Sequence, residues 1–536
     1  MCFYATAQTS WTVTSTADTG VGTLRTLIVD SASAGDTIRF SSVIDGDSIV
    51  LTSGEIVIGK SIHIIGNNAL QTIIDGNAND RIFSISSGTV VVIKGVSLQN
   101  GWQSSFNGGG IYNNGELTLY GCEVRRCDAT FNNGGGISNS GILRVYNSTI
   151  SKNRADDGGG IFNGHGSSCI IQVSTISGNE AYDGAGIYSR NTPTSIISTT
   201  ISANKSATHQ VGGIVVQSAI LLLKNSIVAG NTGEDQARVF APGSGINTAS
   251  SYNLIGGNSQ LVLPAGQGNL VGNAQSPIIA RLKPLQLNGG TTATHALSCG
   301  SPAINQGMAD SLTDQRGQPR GAFGFDDIGA FESQTSSPPP TTRTVTSAAN
   351  TGSGSLREAI ALACPGDTIY FDTVLNGSPI VLSSDQVTID IPLTIIGNGS
   401  SNTILDGNNS HRVIQINPGV NGNLADLTIK KGQSYDDYYN KSEGGGINNY
   451  GHLFIKQVVV EDCHADLGGG LANHQGASCD IVKSTFVDNN SYSTAGGGIY
   501  NAGTLSLENS TLSENNGHNL YSDSGAVLLN FCTTRF

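Results

Sequence analysis

The sequence predicts an all-β chain wound as a parallel β-helix, a solenoid of stacked coils, duplicated end to end and fitted with short capping helices. Three observations predict it. Gly-Gly-Gly-Ile and close variants begin at Gly108, Gly134, Gly158, Gly184 and Val211, in steps of 26, 24, 26 and 27 residues. They begin again at Gly444, Gly468 and Gly496, in steps of 24 and 28. A period between about 20 and 50 residues marks a solenoid, whose repeats bury their apolar faces only against one another. The apolar residues fall in short β-branched runs such as IVLTSGEIVI and SIHIIG, the pattern of many thin strands. Finally, TVTSTADTGVGTLRTLI from Thr12 matches TVTSAANTGSGSLREAI from Thr344. IIGN at Ile64 matches IIGN at Ile395, and IIDGN at Ile73 matches ILDGN at Ile404.

Taken in chain order, residues 1–11 read as a residual export segment or a disordered end. Ala5-Thr6-Ala7 has the small-x-small form of a signal-peptidase site, and the expectation is an exported product. Residues 12–333 form the first β-helix domain with a C-terminal closing module. Residues 334–343, containing SSPPPTT, form a stiff linker, and residues 344–536 form a second β-helix domain. The second copy stops at NFCTTRF without the region that closes the first, so its last coil is expected to be uncapped with an open edge. TLRTLI at Thr23 and SLREAI at Ser355 read as short amphipathic helices covering the apolar start of each stack.

Aligning the coils on the Ile of the repeat places equivalent residues about 4.8 Å apart. Ile111, Ile137, Ile161, Ile187 and Ile214 form a column expected to point inward. Two residues on, Asn113, Asn139, Asn163 and Ser189 form a second column, matched by Asn449, Asn473 and Asn501 in the second copy. Side-chain amides stacked this way hydrogen-bond along the solenoid and satisfy turn backbone. A second ladder runs Cys127, Asn153, Asn179, Asn204 and Asn231, and again Cys463, Asn489 and Asn515. The glycines are expected to supply positive φ for tight turns.

Composition narrows the function. Glycine accounts for 71 of 536 residues and charged residues for 12%, which alone resembles disorder, but hydrophobic residues reach 38% and support a stacked core. The net charge of −13, without a basic stripe, argues against a nucleic-acid partner. No apolar run approaches the roughly 18 residues of a membrane-spanning helix. The nine cysteines are odd in number and scattered. Cys127 and Cys169 correspond to Cys463 and Cys479, yet the spacings differ by one coil, so no bridge could keep one geometry in both copies. The cysteines therefore read as buried small hydrophobes.

The Gly-Gly-Gly-Ile motif, paired with strands ending in Ser/Thr-Ile-Ser-x-Asn, resembles the repeats of bacterial polymorphic outer-membrane proteins. SLREAI at Ser355 resembles the CSLREA region found ahead of such repeats, with Gly354 in place of its cysteine. SPAINQG at Ser301, DQRGQPR at Asp314 and DDIGAFE at Asp326 resemble the closing module of choice-of-anchor surface proteins. The resemblance covers residues 12–333 and 344–530. It implies a right-handed β-helix of the pectin-lyase-like kind on exported bacterial surface proteins, and it implies no reaction.

Four groups of residues are candidates for chemistry. The column before the glycines runs Asn107, Asn133, Asp157, Asp183 and Gln210, so the carboxylates of Asp157 and Asp183 lie one coil apart. Such a pair could serve as acid and base on a polysaccharide or help to hold calcium. The plainer reading is that Asp, like Asn, bonds its own turn. Lys152 and Arg154 lie nearby in sequence. The column after the inward Ile holds Tyr112, Ser138, Phe162, Tyr188 and Val215, with Trp102 upstream. It is expected to face outward, so Trp102, Tyr112, Phe162 and Tyr188 are candidate sugar platforms, against a plain stiffening stack. Cys463, His464, His474 and Cys479, with Asp462, match no common metal spacing and read as structural. Asp314, Arg316, Arg320 and Glu332 read as ion-paired packing that closes the C-terminal end of the stack.

The expected function is that of an exported bacterial surface or secreted protein, adhesin-like and non-enzymatic, which binds a polysaccharide or a cell-surface glycan or protein. The alternative is a lyase, hydrolase or epimerase acting on uronic-acid polymers through Asp157 and Asp183, with calcium the one cofactor such an acidic cluster would admit. A spacer holding an anchor away from the cell is a third reading.

Overall fold

The structure is a computed structural model that describes residues 8–535 except 208–209, 234, 258–260, 274–276, 309–310, 322–323, 335–339 and 435–441. Ala5-Thr6-Ala7 and most of the proline-rich stretch lie outside the described residues. The chain forms two compact units, residues 1–297 with 301–336, and residues 298–300 with 337–536.

The first unit is a parallel β-helix. Its first sheet has ten strands, from Ser10–Val13 to Gly245–Ile246. Its second has ten, from Ser48–Val50 to Leu270–Val271, and its third has eight, from Ile56–Ile58 to Asp235–Phe240. A short fourth sheet joins Asp128–Ala129, Arg154–Ala155, Glu180–Ala181 and Lys205–Ser206. The second unit repeats the plan with sheets of eight, seven, six and two strands.

The columns read from the repeat are the strand register. Ile111, Ile137, Ile161, Ile187 and Ile214 pair in sequence and are each fully buried. Asn113 Nδ2 donates to Asn139 Oδ1 at 2.7 Å, and Asn139 Nδ2 donates to Asn163 Oδ1 at 2.7 Å. Asn449, Asn473 and Asn501 repeat the ladder in the second unit. In the other ladder, Asn153, Asn179, Asn204 and Asn231 are linked by 2.9 Å amide bonds. Each Oδ1 also accepts the backbone N–H of the coil before it, so Asn153 receives Cys127 N at 2.9 Å. At Cys463 the sulfur takes over that accepting role, receiving Gly432 N at 3.4 Å. A cysteine thus replaces Asn where the residue one coil earlier is a glycine.

Only the first glycine of each triplet serves the expected positive φ, as at Gly134 with φ +76. The others are dictated by space. A Cβ on Gly136 would lie 2.6 Å from the Gly160 carbonyl oxygen and 2.9 Å from Asn153 Nδ2.

The capping helices form as expected. Thr23 caps Leu24–Thr26, which continues as Leu27–Ser31, and Ser355 caps Leu356–Leu362. Glu358 completes the second cap by accepting Gly354 N at 2.6 Å. Leu24, Leu27, Ile28, Leu356 and Ile360 are buried and cover the first coils.

Two expectations are corrected. Asp314, Arg316, Arg320 and Glu332 do form ion pairs, Arg316–Asp314 at 2.7 Å and Arg320–Glu332 at 3.4 Å. However, their segment lies along the flank of the second sheet rather than over the end of the stack. Gln315 accepts from Thr175 Oγ1 at 2.7 Å and donates to Thr149 Oγ1 at 2.9 Å, while Ala330 N donates to Thr200 Oγ1 at 3.0 Å. His295 and Ser177 meet at 2.8 Å. The hydroxyls of adjacent coils give this segment a row of partners that the end of a stack lacks.

The cysteines are also not all small hydrophobes. Cys299 and Cys364 form a disulfide within the second unit, with Cα atoms 5.0 Å apart. The comparison of copies missed it because neither residue belongs to a coil. Cys122, Cys127, Cys169, Cys463 and Cys479 are free and buried, as expected, and burial pushes the Cys127 thiol up to about 12. In the second unit the strand Ala526–Asn530 is exposed along its length, with Leu528 at 57% and Leu529 at 50%. Among the described residues no helix is long and apolar enough to cross a membrane, which leaves β-barrel crossing unaddressed.

Candidate functional site

The acidic pair is assembled as expected but tied into the scaffold. Asp157 and Asp183 bridge in parallel on adjacent coils. Asp183 Oδ1 accepts Gly184 N at 3.0 Å and Val211 N at 3.1 Å, and its Oδ2 is ion-paired with Arg238. Arg238 also donates to Gln210 Oε1 at 3.1 Å. Among the described residues Asp157 makes no ion pair, and only the charge of Arg190 works to lower its carboxyl. Burial, then the charges of Asp156 and Asp183, push its carboxyl up to about 6.

The aromatic ridge expected on this face is not exposed. Phe162 and Tyr188 are each only 8% exposed and pack with Val211, Val215 and Phe240 into a small outer cluster. Their rings stack at 5.7 Å, and Tyr188 Oη donates to Gln217 Oε1 at 3.0 Å. The cause is local: the strands Val211–Gln217 and Asp235–Phe240 bring Val215 and Phe240 against those rings. Tyr112 is half-buried, its ring 5.4 Å from the Arg81 guanidinium. Among the four candidate platforms, Trp102 is the exposed one, at 40%.

Trp102 belongs to a different constellation. The parallel register runs Trp102, Asp128, Arg154, Glu180, Lys205 and Thr232, one residue per coil along the fourth sheet. Arg126 and Lys152 precede ladder residues Cys127 and Asn153 and occupy left-handed turns, with φ 54 and 57. That turn directs both side chains away from the core. An open groove of about 360 Å³ is lined by Arg126, Asp128, Lys152, Arg154 and Glu180. A second hollow of about 150 Å³ adjoins it at Arg154 and Glu180 and extends to Asp156 and Tyr182.

Arg126, Lys152 and Arg154 are exposed, and among the described residues none makes an ion pair or a side-chain hydrogen bond. Asp128 is engaged with the Thr130 backbone N–H at 2.7 Å. The groove therefore carries three exposed cations without ion pairs, set beside the carboxylates of Asp128 and Glu180, on a chain of net charge −13. Sequence reasoning noticed Lys152 and Arg154 but missed that Arg126 holds the place of Lys152 one coil earlier. The spacing from ladder residue to glycine triplet varies, from Cys127 to Gly134 against Asn153 to Gly158. Alignment on the ladder, rather than on the glycines, would have exposed the column.

The residues around Cys463 do not converge. His464 Nε2 lies 3.2 Å from Asp462 Oδ1, while Cys463 is a buried thiol in the turn after Val459–Glu461 and Cys479 a buried thiol in the strand Ser478–Val482. Among the described residues no group of three or more His, Cys, Asp or Glu could hold a metal ion.

No protein-family profile matches the chain, and no curated protein sequence does. Solved structures do. A point mutant of the PL6 family alginate lyase AlyGC aligns over 94% of this chain and 85% of its own, with 13% identity and a TM-score of 0.23. The unmutated PL6 family alginate lyase AlyGC aligns over 94% and 87%, with 12% identity and a TM-score of 0.22. The Agl-KA catalytic domain aligns over 94% and 63%, with 11% identity and a TM-score of 0.16. Likeness at this level transfers neither a residue nor an activity to this chain.

Proposed function

We propose that the first unit binds an anionic polysaccharide along the groove of Arg126, Lys152 and Arg154, with Trp102 offering a ring face to one sugar, and that the protein is an exported, adhesin-like surface protein of the polymorphic outer-membrane repeat type. The observation that carries the binding reading is the set of three exposed cations on two adjacent coils, none of which makes an ion pair among the described residues. Clustered like charges repel one another, and carboxylates arriving at each coil relieve that repulsion. Arg126 and Lys152 lie one coil apart, about 4.8 Å, with Arg154 beside Lys152 on the same coil, so the cations meet an extended polymer at two successive coils. Export is supported by the Cys299–Cys364 disulfide, which belongs in an oxidising compartment. The polymorphic-repeat assignment rests on the Gly-Gly-Gly-Ile columns and the SLREAI cap.

The test mixes the full chain with alginate, polygalacturonate and neutral dextran, and follows polymer mass and protein co-elution by size-exclusion with light scattering. Co-elution with the two acidic polymers at unchanged polymer mass is expected, weakening at about 0.5 M salt. Arg154→Ala combined with Lys152→Ala should lower the affinity about tenfold or more. Absence of co-elution would remove the groove as a binding site. A falling polymer mass would replace the adhesin reading with a lyase or hydrolase.

A further inference from the structure

The second unit departs from the first around Arg412. Arg412 occupies the position that Arg81 holds in the first unit, and both donate from Nε to a triplet glycine carbonyl at 2.8 Å, Gly444 and Gly108 respectively. The scaffold is the same, but its surroundings differ. Arg81 pairs with Glu55 at 2.5 Å, whereas Arg412 meets the neutral Gln386 at 2.8 Å and Gln415 at 3.1 Å. Where the first unit has Asn107, Tyr112, Asn114 and Ser140, the second has Glu443, Asn448, Tyr450 and His474. None of these changes is needed to build a coil.

The four side chains form one connected group on the outer face of the third sheet. The Tyr450 and His474 rings stack at 3.9 Å with 14° between their planes. His474 Nε2 lies 2.6 Å from Asn448 Oδ1 and 3.5 Å from Glu443 Oε2. Asn448 Nδ2 donates to Tyr450 Oη at 3.3 Å. Burial, then the Arg412 charge, push His474 down to about 4, so the imidazole is neutral and the Glu443 carboxylate has no cationic partner in it. The next coil places Ala502 in the column of Tyr450 and His474, and no third ring continues that stack. Tyr500, two residues before Ala502 and in the column of Asn448 and Ala472, stacks on Tyr521 at 6.1 Å. A carboxylate about one-third exposed thus sits beside the partly buried Tyr450 and Tyr500 rings and the mostly buried His474 ring, flanking small residues.

We propose that this group is a second binding site, separate from the basic groove, for a neutral, hydroxyl-rich sugar, with Glu443 accepting sugar hydroxyls and the Tyr450–His474 pair and Tyr500 supplying ring faces. A carboxylate makes strong charge-assisted hydrogen bonds to hydroxyls, and flat ring faces match the C–H faces of a pyranose. The same carboxylate repels uronates. Arg412 has its N–H donors taken by Gly444 O, Glu443 O, Gln386, Gln415 and Ser434, so it offers no free donor to a ligand, although its charge draws the Glu443 carboxyl down against the larger effect of burial.

The experiment is calorimetric titration of the full chain with cellohexaose, laminarihexaose and mannohexaose. The expected result is saturable binding of at least one of them. Glu443→Gln and His474→Ala should each weaken it about tenfold, while Arg154→Ala should leave it unchanged. Melting curves of the variants check folding, and if Glu443→Gln unfolds the second unit, His474→Ala decides. Failure of all three oligosaccharides to saturate would overturn the proposal. So would binding left unchanged by both Glu443→Gln and His474→Ala.

Discussion

Asp157 and Asp183 show how one column can hold two different residues in all but name. Asp183 is fixed by Arg238 and by the backbone N–H groups of Gly184 and Val211, so Asp183→Asn should strand a half-buried guanidinium and destabilise the first unit. Asp157 is partly buried beside two like charges that the Arg190 charge only partly offsets, and its folded value of about 6 lies above the unfolded value of about 3.9. The sign follows from that order. The protonated form is favoured on folding, so its contribution is complete below the unfolded value and is lost as pH rises through 6. Asp157→Asn, which installs the residue found at Asn107 and Asn133, should therefore stabilise the first unit at pH 8 by about 1 kcal/mol, after allowance for its partial exposure. It should change little near pH 4. Urea unfolding at the two pH values checks this, and an equal effect at both would show that charge is not the cause. The pair was legible in the sequence, but the difference between its members was not, because Arg238 is two coils away from Asp183.

At the scale of elements, the asparagine ladders carry the coil turns. Asn179 is fully buried, accepts Asn153 N at 3.0 Å, and donates to Ile150 O at 3.0 Å and Asn204 Oδ1 at 2.9 Å. Asn179→Ala should leave several buried polar groups without partners and cost about 3 kcal/mol or more. Chemical denaturation of the first unit measures it, and a loss well under 1 kcal/mol would mean that water or a neighbouring amide takes over the bonds. The ladders and the inward isoleucines were legible because each depends on a residue type recurring at one phase of the period. The groove was not. It mixes Trp, Asp, Arg, Glu and Lys in one column, and only the register identifies them as neighbours. The burial of Phe162 and Tyr188 was likewise invisible, since it depends on strands one to three coils further along the chain.

For the whole molecule, residues outside the coils matter as much as the coils. Cys299 and Cys364 are 65 residues apart, and closing a loop of that length restricts the unfolded chain. Reduction should lower the stability of the second unit by about 2–4 kcal/mol. The melting transition of that unit with and without dithiothreitol reads the effect, and coincident curves would show that the bond does not constrain it. The segment carrying Gln315, His295 and Ala330 lies on the hydroxyl-bearing flank of the second sheet, so that flank is a covered face, and the fourth sheet with Trp102 and Arg154 remains open.

By itself the sequence determined the parallel β-helix, its duplication, the inward apolar column, both amide ladders and the capping helices. Each of these follows from short-range pattern repeated at a constant period, and periodicity survives translation into three dimensions without knowledge of anything else. The tertiary structure alone decided which outward columns are covered, where the closing segment lies, which cysteines pair, and which charges remain without a partner. Those outcomes depend on contacts between residues many coils apart or outside the coils, where no period relates the partners.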